Sequence, residues 1–192
     1  MRKSFLVAGL LLGAATYTPA AAQDAPAVGA PKPSLEDMIV NSPLPGTLRV
    51  DGIRQKPRVR KDEQVQWGQA IRVEVPGKSD KTWSVAVASD VKKAVKAGDE
   101  LVLAFWARVE KGDGGATTAS LPYNAVQLSS APYSALFSGG VEIGPEWKLY
   151  EVKGKADRDY APGEINASIH LATGKQVIDI GPVFVLAVSP GS

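Results

Sequence analysis

From Leu48 onward the chain alternates apolar and polar positions with a period of two. Ile71, Val73 and Val75 alternate with Arg72 and Glu74; Trp83, Val85 and Val87 with Ser84, Ala86 and Ala88; Ile165, Ala167, Ile169 and Leu171 with Asn166, Ser168 and His170. Successive side chains of an extended chain point to opposite sides, so each segment predicts a strand with one buried face. Residues 101–109, 125–128, 147–152 and 183–188 add four apolar, β-branched or aromatic runs, separated from their neighbours by Pro76-Gly77, residues 112–115, Gly139-Gly140, Pro162-Gly163 and Gly174. Phase and size assign Trp83, Phe105 and Trp147 to the core. One stretch, 90–97, carries Val91, Ala94 and Val95 at helical spacing and predicts a two-turn helix stopped by Gly98. Many short strands with almost no helix predict an all-β sandwich or barrel. No internal repeat is visible.

The N-terminal 46 residues follow other rules. Arg2 and Lys3 precede an apolar stretch from Phe5 to Ala15, and Ala20-Ala21-Ala22 supplies the small residues of a cleavage site. Residues 1–22 therefore predict a secretory signal peptide, with an apolar run too short to span a bilayer. The expected location is periplasmic or secreted, with no membrane span after cleavage. Residues 23–46 turn to Ala, Pro and Gly, with five prolines that favour extended chain, and predict a linker holding at most a short helix capped at Ser34-Leu35-Glu36-Asp37. The folded domain is expected over 47–189.

Composition narrows the chemistry. The 192 residues hold 22 Lys plus Arg and 20 Asp plus Glu, and the excess of two is Arg2 and Lys3, so the exported chain is nominally neutral. That argues against a nucleic-acid groove, which needs clustered cations. A local basic strip over 54–61 is followed at once by Asp62 and Glu63 and predicts a solvated strand edge, although it also suits an acidic polysaccharide. With no cysteine and one histidine, disulfides, thiolate chemistry and His-rich metal cages are excluded.

The segment 101–109 has an unbroken core face in Leu101, Leu103, Phe105, Ala107 and Val109, and places Trp106 and Arg108 opposite. An indole on the non-core side of a sheet requires a covering loop or a ligand. Here the order of residues resembles a family. Gln69-Ala70-Ile71-Arg72-Val73, Trp83-Ser84-Val85-Ala86-Val87, and the run from Lys96-Ala97-Gly98-Asp99 to Phe105-Trp106-Ala107-Arg108 are similar to carbohydrate-binding modules of the family 4/9 type, within the galactose-binding-domain-like jelly rolls. Ala125-Val126-Gln127-Leu128, Trp147-Lys148-Leu149-Tyr150, residues 165–171 and the closing residues 177–183 extend the likeness over about Leu48 to Val188.

The resemblance implies a two-sheet jelly-roll β-sandwich whose concave sheet binds a poly- or oligosaccharide without catalysis. It also implies that residues 101–109 and 165–171 lie together on that sheet, presenting Trp106, Arg108, Gln127, Asn166, Ser168 and His170, with Tyr133, Tyr123 and Phe137 of the segment 121–137 as a wall or lid. An indole suits the apolar face of a pyranose, and Arg, Gln, Asn and His suit its hydroxyls. The bland alternative for Trp106 is a covering loop, and for Arg108 a carboxylate partner. Modules of this type often carry a structural calcium, for which Asp179, Asn41 and Asp51 are the available residues; they are too few for a hard cation and no metal is assigned. No cofactor is expected, and a monomer is. A periplasmic interaction domain is the second reading. A lyase or hydrolase is the third: the absence of paired carboxylates on the expected face and of a Gly-x-Ser-x-Gly elbow weakens a hydrolase, while a polysaccharide lyase could use the Tyr, Arg and His that the chain possesses.

Overall fold

The computed structural model describes residues 34–189; the expected signal peptide and residues 23–33 of the expected linker lie outside the described residues. Ten strands form: β1 (Arg49–Asp51), β2 (Val59–Lys61), β3 (Gln69–Val75), β4 (Ala86–Asp90), β5 (Glu100–Lys111), β6 (Ala119–Leu128), β7 (Ala135–Ile143), β8 (Lys148–Lys155), β9 (Ile165–His170) and β10 (Gln176–Val188). They build two five-stranded sheets, one in the order β1-β4-β9-β6-β7 and one in the order β2-β3-β10-β5-β8. Every pairing is antiparallel. This is the all-β sandwich that the alternation predicts, and the jelly roll that the family resemblance implies.

The period-two faces meet between the sheets. Val73, Leu101, Leu103, Phe105, Ile178, Ile180 and Val185 of one sheet are wholly buried, as are Leu121, Val126, Ile165 and Ile169 of the other. Phe105 and Tyr150 pack with ring centroids 5.9 Å apart. Interdigitated inner faces of this kind are what hold a sandwich together. In β10 the register against β5 shifts between Ile180 and Val183, because Gly181-Pro182 interrupts the ladder. Proline has no N–H to donate, and a Cβ at Gly181 would meet Val65 Cγ2 at 2.6 Å and Trp106 Cβ at 2.9 Å.

Three elements differ from expectation. Residues 90–97 form no helix: β4 ends at Asp90, and Val91 and Val95, each wholly buried, bridge to Asn41 and Tyr160. Their backbone groups are spent on those partners rather than on a helical turn. Gly139-Gly140 does not separate elements but lies inside β7. A Cβ on Gly139 would meet Val152 Cγ1 of β8 at 2.9 Å, and one on Gly154 of β8 would overlap Phe137 of β7, so glycine lets these edge strands of the two sheets close together. Residues 39–46, assigned to the linker by composition, belong to the sandwich. After α1 (Leu35–Met38), whose Ser34 and Asp37 form the expected capping box, Val40 N donates to Val185 O. Buried Asn41 donates to Val183 O at 2.7 Å and Ser89 Oγ at 2.8 Å, and accepts from Val185 N at 2.8 Å. It thereby ties β10 of one sheet to β4 of the other. Among the described residues no helix is long and apolar enough to cross a membrane.

Candidate functional site

Cross-strand register decides which expected site residues can share a surface. His170 pairs with Ala86, which pairs with Asp51; Ser168 pairs with Ala88 and Ala125; Asn166 pairs with Asp90 and Gln127. Residues in register lie on one face, and since Ile165, Ala167 and Ile169 point inward, these rows form the outer face of the sheet β1-β4-β9-β6-β7. Its floor is low, with Ala86, Ala88, Ala125 and Ser168 all buried. Tall aromatic side chains stand around His170. The Tyr123 ring stacks on the imidazole with centroids 4.3 Å apart, and the Trp83 indole lies 6.4 Å away on a tilted plane.

Trp83 is corrected from core to surface, with 57% of its area exposed. Residues Thr82–Ser84 form a 3₁₀ turn just before β4, so the alternation that pointed Trp83 inward is broken at that residue. The same turn brings Thr82 Oγ1 to 3.1 Å from His170 Nδ1, where the two share a hydrogen bond. Nε2 has no protein partner among the described residues. Burial pushes the imidazole down to about 4, so near neutrality it is uncharged and offers one ring nitrogen to a ligand. Gln127 Oε1 accepts from Tyr123 Oη at 3.3 Å, while the buried Oδ1 of Asn166 has no partner. At the β1 edge Arg49 reaches Asp51 at 3.1 Å and Asp90 at 3.2 Å, and Lys92 reaches Asp90 at 3.2 Å. For Asp90, burial opposes ionisation, but the Lys92 hydrogen bond and the Lys92 and Arg49 charges outweigh it and keep the carboxyl below its ordinary range. Tyr133 stands in the β6–β7 turn just past Gln127, 56% exposed, with a positive φ of 57°.

Trp106 and Arg108 are not on this face, which corrects their expected grouping with Asn166 and His170. β5 belongs to the sheet β2-β3-β10-β5-β8, whose outer face is covered by the β2–β3 connection. Trp106 Nε1 donates to Gln66 Oε1 at 2.9 Å, Val65 of the same connection is buried, and Trp67 meets Phe184 edge-on at 5.1 Å. The covering loop is thus 62–68, not the segment 121–137, which instead contributes to β6 and β7. Arg108 lies over the Trp147 ring at 5.1 Å and donates to Asp179 at 2.9 Å and to Gln64 at 3.3 Å.

The residues named for calcium do not fit a cation. Asp179 is wholly buried and accepts from Arg60, Arg72 and Arg108; Asn41 spends both ends of its amide on protein partners; Asp51 pairs with Arg49. Guanidiniums occupy the carboxylate a metal would need, and among the described residues no group of three or more His, Asp or Glu side chains could hold a metal ion.

Neither the protein-family models nor the curated proteins include a match to this chain. Solved structures do share its fold. A CBM4 module aligns over 74% of this chain and 96% of its own, with a TM-score of 0.54 and 12% identity. The second N-terminal cellulose-binding domain of Cellulomonas fimi β-1,4-glucanase C aligns over 80% and 95%, with a TM-score of 0.53 and 16% identity. The CBM22-1 and GH10 modules of Clostridium thermocellum xylanase 10B, complexed with xylohexaose, align over 78% of this chain and 28% of theirs, with a TM-score of 0.55 and 15% identity. By fold, this chain is a β-sandwich of the kind found in the family 4 and family 22 carbohydrate-binding modules.

Proposed function

We propose that the chain is an exported, non-catalytic carbohydrate-binding module that holds a poly- or oligosaccharide against the outer face of the sheet β1-β4-β9-β6-β7. The observation that carries this reading is the exposed Trp83 beside the Tyr123–His170 stack, above a floor of Ala and Ser side chains. A pyranose laid on that floor sets its C–H face against an indole and its hydroxyls toward His170 Nε2, Gln127 and the unpartnered Asn166 Oδ1. Tyr133 extends the face past Gln127. Trp83 and Tyr123 take the aromatic role that the family resemblance implies for Trp106. A non-catalytic role is favoured because Asp51 and Asp90, two carboxylates of this face, are ion-paired, and Asp90 is held in its charged form; Glu142 of β7, in register with Ser120 of β6, stands on the same face without a carboxyl partner beside it among the described residues. Glycoside hydrolysis needs one carboxyl kept protonated as an acid.

The neighbours named for cellulose and for xylohexaose make β-1,4-glucan and xylan the first polymers to try. Affinity electrophoresis and calorimetry should show binding in the millimolar to micromolar range, about −4 to −8 kcal/mol. An indole of about 200 Å² that is 57% exposed offers about 115 Å² to a ligand. One stacked sugar covers about half of that and loses a matching area of its own, so Trp83→Ala should forfeit about 1.5 to 3 kcal/mol, or about 10- to 150-fold in Kd. No retardation by any neutral polymer would replace this reading with a protein-interaction role, and release of reducing ends or unsaturated products would replace it with an enzyme. Export is tested by N-terminal sequencing of the protein recovered from the periplasm or medium, with Gln23 expected first.

A further inference from the structure

The basic strip of the sequence has a place in the fold that saccharide binding on the outer face does not use. Residues 52–58, between β1 and β2, connect an edge strand of one sheet to an edge strand of the other. They arch over a hollow of about 660 Å³ lined in part by Arg54, Lys56 and Arg58 from the arch, and by Arg72 and Glu74 from β3. A second hollow of about 410 Å³ shares Ile53, Arg54 and Lys56 and reaches Arg49.

The charges in this hollow are not balanced as they are elsewhere on the chain. Arg72 is committed to Asp179 at 2.8 Å and to Glu110 at 2.9 Å, and Arg60, next along the chain, is committed to Asp179 and Asp62. Arg54, Lys56 and Arg58 have no hydrogen-bond or ion-pair partner among the described residues. Among the described residues lining the larger hollow, Glu74 carries the only carboxylate. Three unpaired cations facing one acid leave a positive concavity, in a chain whose expected mature form carries equal numbers of the two signs.

We propose that this hollow is a second binding site, selective for a carboxylate-bearing saccharide such as a uronic acid oligomer. The volume suits a few sugar units, since ligand sites run from about 300 to 1,000 Å³. Two guanidiniums supply planar forks that match carboxylates, and Lys56 adds a point charge. Ile53, Pro57 and Pro76 give apolar contact to ring C–H groups. Among the described residues the hollow has no aromatic lining on which a nucleic-acid base could stack, and Glu74 works against a dense polyanion. A chain with one carboxylate per ring meets neither obstacle. This site is separate from the outer face around Trp83 and does not depend on neutral-glycan binding there.

The test is affinity electrophoresis in polygalacturonate, with calorimetric titration of trigalacturonate, on the wild type and three variants whose melting temperatures are recorded alongside. The wild type should be retarded, and the effect should fade toward about 1 M NaCl, where the Debye length is only about 3 Å. Changing Arg54, Lys56 and Arg58 together to Gln should weaken trigalacturonate binding at least about tenfold, the loss of one or more charge-assisted contacts. Glu74→Gln should strengthen binding about threefold by removing the opposing charge. Trp83→Ala should leave it unchanged, which separates this site from the neutral-glycan face. The proposal is overturned if polygalacturonate does not retard the wild type, or if the triple variant binds as tightly as the parent. It is also overturned if dextran sulfate retards the protein while trigalacturonate does not bind, or if Trp83→Ala abolishes trigalacturonate binding.

Discussion

Asp179→Asn removes a single charge at a point where four strands of one sheet are tied together. The carboxylate of β10 is wholly buried and accepts from Arg60 of β2, from Arg72 of β3 at 2.8 and 3.1 Å, and from Arg108 of β5 at 2.9 Å. Burial alone would raise its pKa, but the hydrogen bonds from Arg72 and Arg108 and the charges of Arg60 and Arg72 outweigh it and hold the carboxyl below its ordinary range. Asparagine keeps the shape, yet it offers one acceptor oxygen instead of two and turns an N–H₂ toward groups that can only donate. The cluster has no spare acceptors, since Arg60 Nε is already buried without a partner. Breaking a buried ion pair by removing one member costs about 3 to 5 kcal/mol. For a domain of this size each kcal/mol shifts Tm by about 2 to 4 °C, so a fall of about 6 to 20 °C is expected in a circular-dichroism melt. The pH profile gives a second reading. A carboxyl whose folded pKa is depressed stabilises the fold above its unfolded value near 3.8 and loses that contribution as pH falls through the folded value. The variant should therefore show a shallower acid limb than the parent. A drop of less than about 4 °C with an unchanged acid limb would refute the reasoning, because an exposed ion-pair cluster is worth only about 1 kcal/mol or less.

Trp106→Ala should act on stability rather than on binding. Removal of a large aromatic packed under the 62–68 connection is expected to cost about 3 kcal/mol in urea titration while leaving Kd for a neutral glycan within about twofold; a Kd change matching that of Trp83→Ala would return Trp106 to the site. His170 should link stability to pH in the opposite half of the acid range. Its folded pKa of about 4 lies below the unfolded 6.5, so the unfolded chain takes up the proton first and stability declines as pH falls from about 6.5 toward about 4. His170→Gln should flatten that limb, and glycan affinity of the parent should hold steady from neutrality to about pH 5 and weaken as the imidazole charges near 4. Affinity that instead changes sharply around pH 6.5 would show an imidazole open to water.

What was legible in the sequence was local. Alternation identifies β3, β5 and β9 and sorts each strand's side chains into two sets, because the period of an extended chain is fixed by its geometry. It does not say which strand lies beside which. β5 and β9 carry similar patterns, and only long-range register, β10 against β5 and β6 against β9, puts Trp106 and His170 on different sheets. Trp83 was misassigned for a related reason: extrapolating the phase of Val85 and Val87 by one step assumes extended backbone, and a single 3₁₀ turn cancels it. The available signal lay in the alternate positions, since Ala86 and Ala88 form the small floor of the face on which the sugar site is proposed. Gly139-Gly140 looked like a break because glycine usually marks turns, whereas here its missing Cβ lets β7 approach β8.

The two outer faces of the sandwich have been given different work by short segments rather than by the sheets themselves. On the sheet β2-β3-β10-β5-β8, the seven residues 62–68 cover Trp106, Asp62 pairs with Arg60 and Arg108, and Trp147 lies against Arg108. Two of the four tryptophans are thereby spent as packing, and the buried charge on Asp179 finds its partners inside the same layer. On the opposite sheet the three residues Thr82–Ser84 do the reverse, lifting Trp83 out of the core and fixing His170 through Thr82. A sugar face needs an aromatic that is held but not covered. Around Trp83 the Tyr123 ring stacks on His170, the indole lies 6.4 Å from the imidazole, and the side chains in register across β4, β9 and β6 are small at Ala86, Ala88, Ser168 and Ala125. Exchanging these two roles would require moving a loop, not rebuilding a strand, which is why strand patterns alone point to the fold but do not say which indole a loop covers.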